Sequence, residues 1–253
     1  MQAGAQLGGR VFMLRAAPAR DHRTGGGDTG EPCETDPLPG DPHRLVGYAP
    51  VMNAGMTLDE ALEMAATGDV WLFRGKSLAD LAIRAVTNAP INHVGMIVAL
   101  DDLPPLLWHA ELGRSLPDVW TGDRQRGVQL HLLADAVRTW HDKYGQRPWM
   151  RQLTAQVQRH HEDRLIEVID RYDGHPFPTT LGLARRWLRG RFRRSASLET
   201  VYCAELVAST YQHMGLLPKR HPASWYDPGR FWSGDQLHLT PPFDLAPEVA
   251  VSL

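Results

Sequence analysis

Apolar and polar residues alternate along this chain with two different periods, and these predict where strands and helices lie. Residues 69–75, 93–100, 105–112 and 127–133 are short apolar runs rich in β-branched or aromatic residues. Such runs are typical of buried strands. DDLPP separates the second run from the third. Because it is a strong turn sequence, these two strands are expected to form a hairpin.

Helical spacing of apolar residues predicts helices near 57–68, 77–88, 164–174 and 201–217. Thr57 precedes the first helix, and Glu60 follows three residues later, which together indicate a capping box. Ser77 and Asp80 have the same spacing at the second helix. Gly68 is expected to end the first helix.

The composition divides the chain into a tail and a folded part. At 253 residues with 43% hydrophobic content, the chain is long enough for one large domain or two small ones. Residues 1–45 are rich in Gly, Pro and Asp without hydrophobic periodicity, which predicts a disordered tail. The folded domain is expected over 54–253. The basic run 181–194 predicts a solvated helix face, or alternatively a surface for an acidic lipid or another anionic partner.

Charge and targeting signals exclude several classes of protein. A net charge of −2 and a pI near 6.6 argue against general nucleic-acid binding. No run approaches the roughly 20 apolar residues of a membrane span. VFML near the N-terminus is too short for a signal peptide, and Arg15 interrupts it. The 2 cysteines do not suggest a disulfide framework, so a reducing, cytoplasmic location is expected. Nucleotide loops, EF-hands and CxxC pairs do not occur, and no cofactor is predicted.

Cys203 stands at the head of the apolar segment CAELVASTYQHMGLL. At a helix start, the first-turn amides and the helix dipole lower the pKa of a thiol below its usual value of about 8.5. The thiolate is the nucleophilic form, so Cys203 is a candidate nucleophile. The ordinary alternative is a small buried hydrophobic residue.

Two histidines lie on the strands of the predicted hairpin. His93 begins one strand directly after a Pro/Asn turn, and His109 lies in the next. Neighbouring strands are about 4.8 Å apart, so the two side chains can touch and supply a general base with an orienting partner. Each histidine alone is equally well explained as a hydrogen-bonded core residue. Zinc ligation by Cys203, His93 and His109 is the metal-site alternative, but their spacing is unlike a zinc signature, so no metal is predicted.

The segments GDVWLFRG, INHVGMIV, LLWHAEL and CAELVASTYQHMGLL occur in an order that resembles a known family. They resemble the circularly permuted branch of the NlpC-like, papain-like cysteine amidases, in which the histidine strand precedes the cysteine helix. The resemblance covers roughly residues 54–253. It implies an α+β fold in which an antiparallel sheet packs with helices in a permuted papain-like arrangement.

The resemblance also implies roles for individual residues. Cys203 matches the nucleophile, His93 the base, and His109 the third residue that orients the base. The family often has an acid at this third position, whereas the related lecithin:retinol acyltransferase-like proteins have a histidine. Glu111, on the same side of the strand as His109, is the expected substitute. Backbone amides at the helix start, including that of Cys203, would stabilise an oxyanion.

The implied activity is that of a thiol hydrolase of the amidase or peptidase type. It would cleave an amide or ester bond through a Cys203 acyl-enzyme. Small peptides, cell-wall-type peptides and acyl-amide or lipid compounds are the implied substrates. Two alternatives remain open at this point: an acyltransferase that uses the same site, and a non-catalytic binding module of the same fold.

Overall fold

A seven-stranded sheet lies at the centre of the described part of the chain. The computed structural model describes residues 55–100, 103–111, 113–175, 198–235 and 237–253. The predicted tail over 1–45 and the basic run 181–194 lie outside these residues.

The sheet is antiparallel except at one edge. Its strands are β1 (Met56–Thr57), β2 (Val70–Arg74), β3 (His93–Val98), β4 (Leu106–Glu111), β5 (Gly127–Leu132), β6 (Arg147–Arg151) and β7 (Val249–Ser252). They lie in the order β1-β7-β6-β2-β3-β4-β5, and only β1 and β7 run parallel. The predicted hairpin is β3–β4. The α+β class is confirmed, whereas the permuted papain-like arrangement is not shown.

Helices cover both faces of the sheet. They are α1 (Leu58–Met64), α2 (Leu78–Thr87), α3 (Leu133–Tyr144), α4 (Arg159–Tyr172) and α5 (Leu198–Met214). Both predicted capping boxes are present, at Thr57 and at Ser77. α1 ends at Met64 rather than at Gly68. Among the described residues, no helix combines the length and apolarity needed to cross a bilayer.

Strand alternation divides the buried side chains into two apolar layers. One layer contains Val94, Met96 and Trp108 of the sheet and packs against α4 and α5. The indole Nε1 of Trp108 donates a hydrogen bond to Thr210 Oγ1 of α5 over 3.1 Å. The other layer contains Phe73 of the sheet and packs against α1 and α3.

Helix α5 lies along β3 and β4. Near its C-terminal end, the Tyr211 hydroxyl donates to the carbonyl of Gly68, whose own amide donates to the carbonyl of Ile97 over 3.1 Å. Tyr211 of α5 therefore lies beside the end of β3. Cys203 lies eight residues earlier, about 12 Å back along the helix axis. It lies towards the end of the sheet where β3 begins with His93.

Arg151 joins the sheet to the C-terminal segment. Its guanidinium nitrogens donate to three backbone carbonyls, those of Ala246 (2.6 Å), Phe231 (2.7 Å) and Leu245 (2.8 Å). The residue is 5% exposed. Burial lowers the pKa of the guanidinium from its usual value. Two of these three bonds, those to Phe231 and Leu245, are buried.

Replacing Arg151 with methionine is expected to lower the free energy of unfolding by about 3 kcal/mol or more. The substitution removes three charge-assisted hydrogen bonds and leaves buried carbonyls without this donor. Urea denaturation followed by circular dichroism measures the effect. Arg147→Met, at the exposed first position of the same strand, should change stability by no more than about 0.5 kcal/mol. Equal effects of the two substitutions would show that the Arg151 bonds contribute nothing specific.

Candidate active site

Three histidines and a glutamine form a hydrogen-bonded row across β3, β4 and β5. His93 Nε2 lies 3.2 Å from His109 Nδ1, and His109 Nε2 lies 3.0 Å from His131 Nδ1. His131 Nε2 lies 3.2 Å from Gln129 Oε1. We call these four residues the histidine row. The structure therefore brings His93 and His109 together and adds two residues to them.

Strand register explains why the row runs diagonally. Met96 of β3 is paired with Trp108 of β4, so His109 lies opposite Gly95 rather than opposite His93. On the next pair, His109 lies opposite Gln129, and His131 lies two residues further along. Each ring therefore reaches a diagonal neighbour on the same face, a distance that long or aromatic side chains can span.

Gly95 makes room for this arrangement. A Cβ atom at Gly95 would lie 2.6 Å from Leu107 Cδ1 and 3.2 Å from His109 Cβ. Trp140 of α3 covers the rings, with its centroid 5.3 Å from that of His93 and 4.9 Å from that of His109. The row is thus enclosed between the sheet and α3.

The glutamine fixes the direction of the hydrogen bonds. With the amide oxygen of Gln129 facing His131 Nε2, this nitrogen carries the proton, and neutral His131 then accepts at Nδ1. His109 must donate from Nε2 and accept at Nδ1. His93 must in turn donate from Nε2, which leaves the lone pair of its Nδ1 unused by the row. In the neutral state, every ring has a single assigned tautomer.

Burial keeps all three rings neutral. The pKa of His93 is lowered to about 3 by burial and then by the nearby His131. Burial is also the main cause that lowers the pKa of His109 well below its usual value and that of His131 to about 4. His109 and His131 are 0% exposed, whereas His93 is 6% exposed. Of the three rings in the row, that of His93 is therefore the nearest to solvent.

Cys203 does not lie in this row. It is buried in the apolar layer on the α5 side of the sheet, whereas the rings of His93 and His109 contact Trp140 on the α3 side. The structure places the thiol and the imidazoles at the same end of the sheet but on opposite faces of it.

The expected position of Cys203 at a helix start is wrong. α5 begins at Leu198, so Cys203 lies in its second turn. The amide of a residue in that position belongs to the hydrogen-bond ladder of the helix. It is not one of the four unbonded amides that could lower the thiol pKa or stabilise an oxyanion.

Glu111 follows His109 on the same face of β4, as strand alternation predicts. It is 6% exposed, and its Oε1 accepts a hydrogen bond from Ser115 Oγ over 3.2 Å. His109 makes the orienting contact to His93.

His131 and Gln129 were missed by the sequence analysis. They stand at alternate positions of GVQLHL, so the signal was present: two polar residues on one side of an otherwise apolar strand. Their place beside His109 depends on the β4–β5 register, which the sequence does not reveal.

Comparisons with known proteins find little similarity. No family model matches the chain, and no curated protein matches it. Among solved structures, it is similar to one described as the metalloprotein YiiX from Escherichia coli O157:H7, DUF1105. The likeness has 20% sequence identity and a TM-score of 0.40, and it covers 59% of this chain and 66% of that one. It therefore spans just under two thirds of that protein, and at this score it carries no argument.

The assignment to the permuted NlpC-like cysteine amidases is wrong. No family model matches the chain. The structure also places Cys203 inside a helix, on the opposite face of the sheet from the rings of His93 and His109. The physical reason is that the supporting segments are short. The residues of INHVGMIV and of CAELVA also suit any buried strand and any buried helix, and they did not fix the face of the sheet on which each lies.

Replacing Gln129 with leucine is expected to destabilise the protein by about 1–3 kcal/mol, because it leaves the buried Nε2–H of His131 without its acceptor. Guanidinium denaturation measures the change. Gln156→Leu, at an exposed loop position, is the matched control and should be close to neutral. Wild-type stability of the Gln129 variant would mean that the row does not need this terminal acceptor.

Proposed function

We propose that this protein is a hydrolase that cleaves an amide or ester bond, with His93 as general base and Cys203 as nucleophile. The observation that carries the proposal is the histidine row. It holds His93 in one orientation and, in the neutral state, leaves the lone pair of Nδ1 outside the hydrogen bonds of the row.

The position of His93 supports this role. It is the first residue of β3 and the histidine of the row with some exposure, whereas the rest of the row is sealed from solvent. A base held in one orientation by buried hydrogen-bonded partners is the arrangement that general-base catalysis needs.

Cys203 is the proposed nucleophile because α5 carries it to the end of the sheet where β3 begins. The thiol and the imidazole lie on opposite faces there, so the reacting bond has to be bound at the sheet end, within reach of both. A substrate that approaches elsewhere along the sheet would meet only one of them.

The proposed chemistry has two steps. The thiol proton passes to His93 around the end of the sheet, and the sulfur forms a bond to the substrate carbonyl carbon while the bond to the leaving group breaks. The leaving amine or alcohol takes the proton from His93. Water then attacks the thioester with His93 as base, which releases the acid and restores the thiol. If an alcohol or amine replaces water in the second step, the protein is an acyltransferase.

Small peptides, cell-wall-type peptides and acyl-amide or lipid compounds are the proposed substrates. The cytoplasmic location also stays a prediction, which rests on the cysteine content.

A non-catalytic binding module is the second candidate. The burial of Cys203 among apolar side chains favours it, because a buried thiol in such surroundings is usually structural.

An activated ester such as p-nitrophenyl acetate tests the proposal. The expected result is an acyl group on Cys203, detected by mass spectrometry of quenched samples, together with steady release of p-nitrophenol. Cys203→Ala should abolish both signals. His93→Gln should slow acylation by about 10²–10⁴-fold, the contribution of a positioned general base.

Cys33→Ser is the matched control, because it removes the other cysteine of the chain. It should acylate at the wild-type rate. Acylation that persists in Cys203→Ala would exclude Cys203 as the nucleophile. An unreactive wild-type protein would favour the binding module.

A further inference from the structure

Three buried side chains on β4 and β5 converge on one point. His109 and Glu111 are two residues apart in β4 and lie on the same face of it, and His131 of β5 lies beside them. One nitrogen or oxygen atom from each lies within 4.8 Å of the others. Because all three stand on paired strands rather than on loops, their relative positions are set by the sheet.

The donor atoms suit zinc. Two imidazole nitrogens and a carboxylate oxygen form a common ligand set for a four-coordinate zinc ion with one open position. His109 Nε2 and His131 Nδ1 are 3.0 Å apart. Ligands at about 2.0–2.1 Å around a tetrahedral ion are separated by about 3.3 Å, so a small adjustment of the two rings would admit the ion.

Each of the three side chains also has an outer partner. The other nitrogen of His109 faces His93 Nε2, and that of His131 faces Gln129 Oε1. Ser115 Oγ donates to Glu111 Oε1. Metal-ligating histidines almost always donate their second N–H to an acceptor, and ligating carboxylates are themselves hydrogen-bonded. His131 and Glu111 have these partners as the row stands, and His109 gains its N–H donation once its proton moves to Nδ1.

We propose that His109, Glu111 and His131 form a zinc-binding site. The ion takes the place of the proton that lies between His109 Nε2 and His131 Nδ1. That proton moves to Nδ1 of His109, which then donates to His93 Nε2, and the proton of His93 moves to its own Nδ1. Both ligating rings stay neutral, and the row loses no proton.

This exchange has a consequence for catalysis that rests on the proposed function. With zinc bound, the lone pair of neutral His93 is at Nε2 and accepts from His109, while Nδ1 carries the proton. The base is then blocked. Zinc is therefore expected to inhibit ester hydrolysis, whereas chelator-treated protein is active.

Metal titration of the full chain tests the site without any activity measurement. Chelator-stripped wild-type protein, dialysed against Zn²⁺ alone, should bind one equivalent per chain. Co²⁺ should give the visible absorption of a four-coordinate site. Glu111→Gln and His131→Gln should each raise the dissociation constant by at least about 100-fold. Gln129→Leu, which removes an outer partner, should raise it by about 10–100-fold.

His213→Gln is the matched control, because His213 Nε2 lies 2.9 Å from Glu167 Oε2 in an exposed histidine–glutamate pair. It should bind the site's one equivalent as the wild type does. Substoichiometric binding by the wild type at micromolar zinc would overturn the proposal. Equal affinity in Glu111→Gln and wild type would also overturn it.

Nitrogen NMR of the wild-type histidine rings gives a second measurement if the variants fail to fold. Zinc should shift Nε2 of His109 and Nδ1 of His131 together, and shifts confined to other histidines would overturn the site. Cys203→Ala should bind zinc normally. Failure of metal binding and failure of the acylation experiment are therefore distinguishable.

Discussion

The need to hydrogen-bond the ring nitrogens that face one another in a buried row is the constraint on which this structure depends. His93, His109 and His131 lie between an apolar sheet and the indole of Trp140, where an unpaired polar atom is costly. One acceptor at the end of the row, Gln129, sets the tautomer of every ring. Position and protonation are thus decided together, and the same geometry serves both the proposed base and the proposed metal site.

Many of the strands and helices around this row could be predicted from the sequence. The capped helices, the apolar strands and the β3–β4 hairpin have local signals, and the contact between His93 and His109 follows from them. β6 and β7 did not have such signals. β6 contains Pro148, which argues against an interior strand, and β7 is short. Both owe their place to long-range pairing, which no local pattern records.

Cys203 shows a different limit of sequence reasoning. Its apolar segment does form a helix. The helical spacing of apolar residues does not define where a helix begins, however, and α5 starts at Leu198. Nor does it define which face of a sheet the helix covers. Helix boundaries and the choice of sheet face are set by tertiary packing, and the expected chemistry of Cys203 depended on both. The histidines were better placed because strand alternation assigns them to one face.

The bonds of Arg151 also set an order of events during synthesis. Its guanidinium lies in the sheet, but two of its three acceptors belong to residues made almost a hundred positions later. Strand β1, near residue 56, likewise waits for β7, near residue 250, before it has a partner. Until residues 245–252 have been made, a charged group stays in water and one sheet edge stays open. This edge is therefore closed late, and the nascent chain is exposed to mispairing there until β7 has been made.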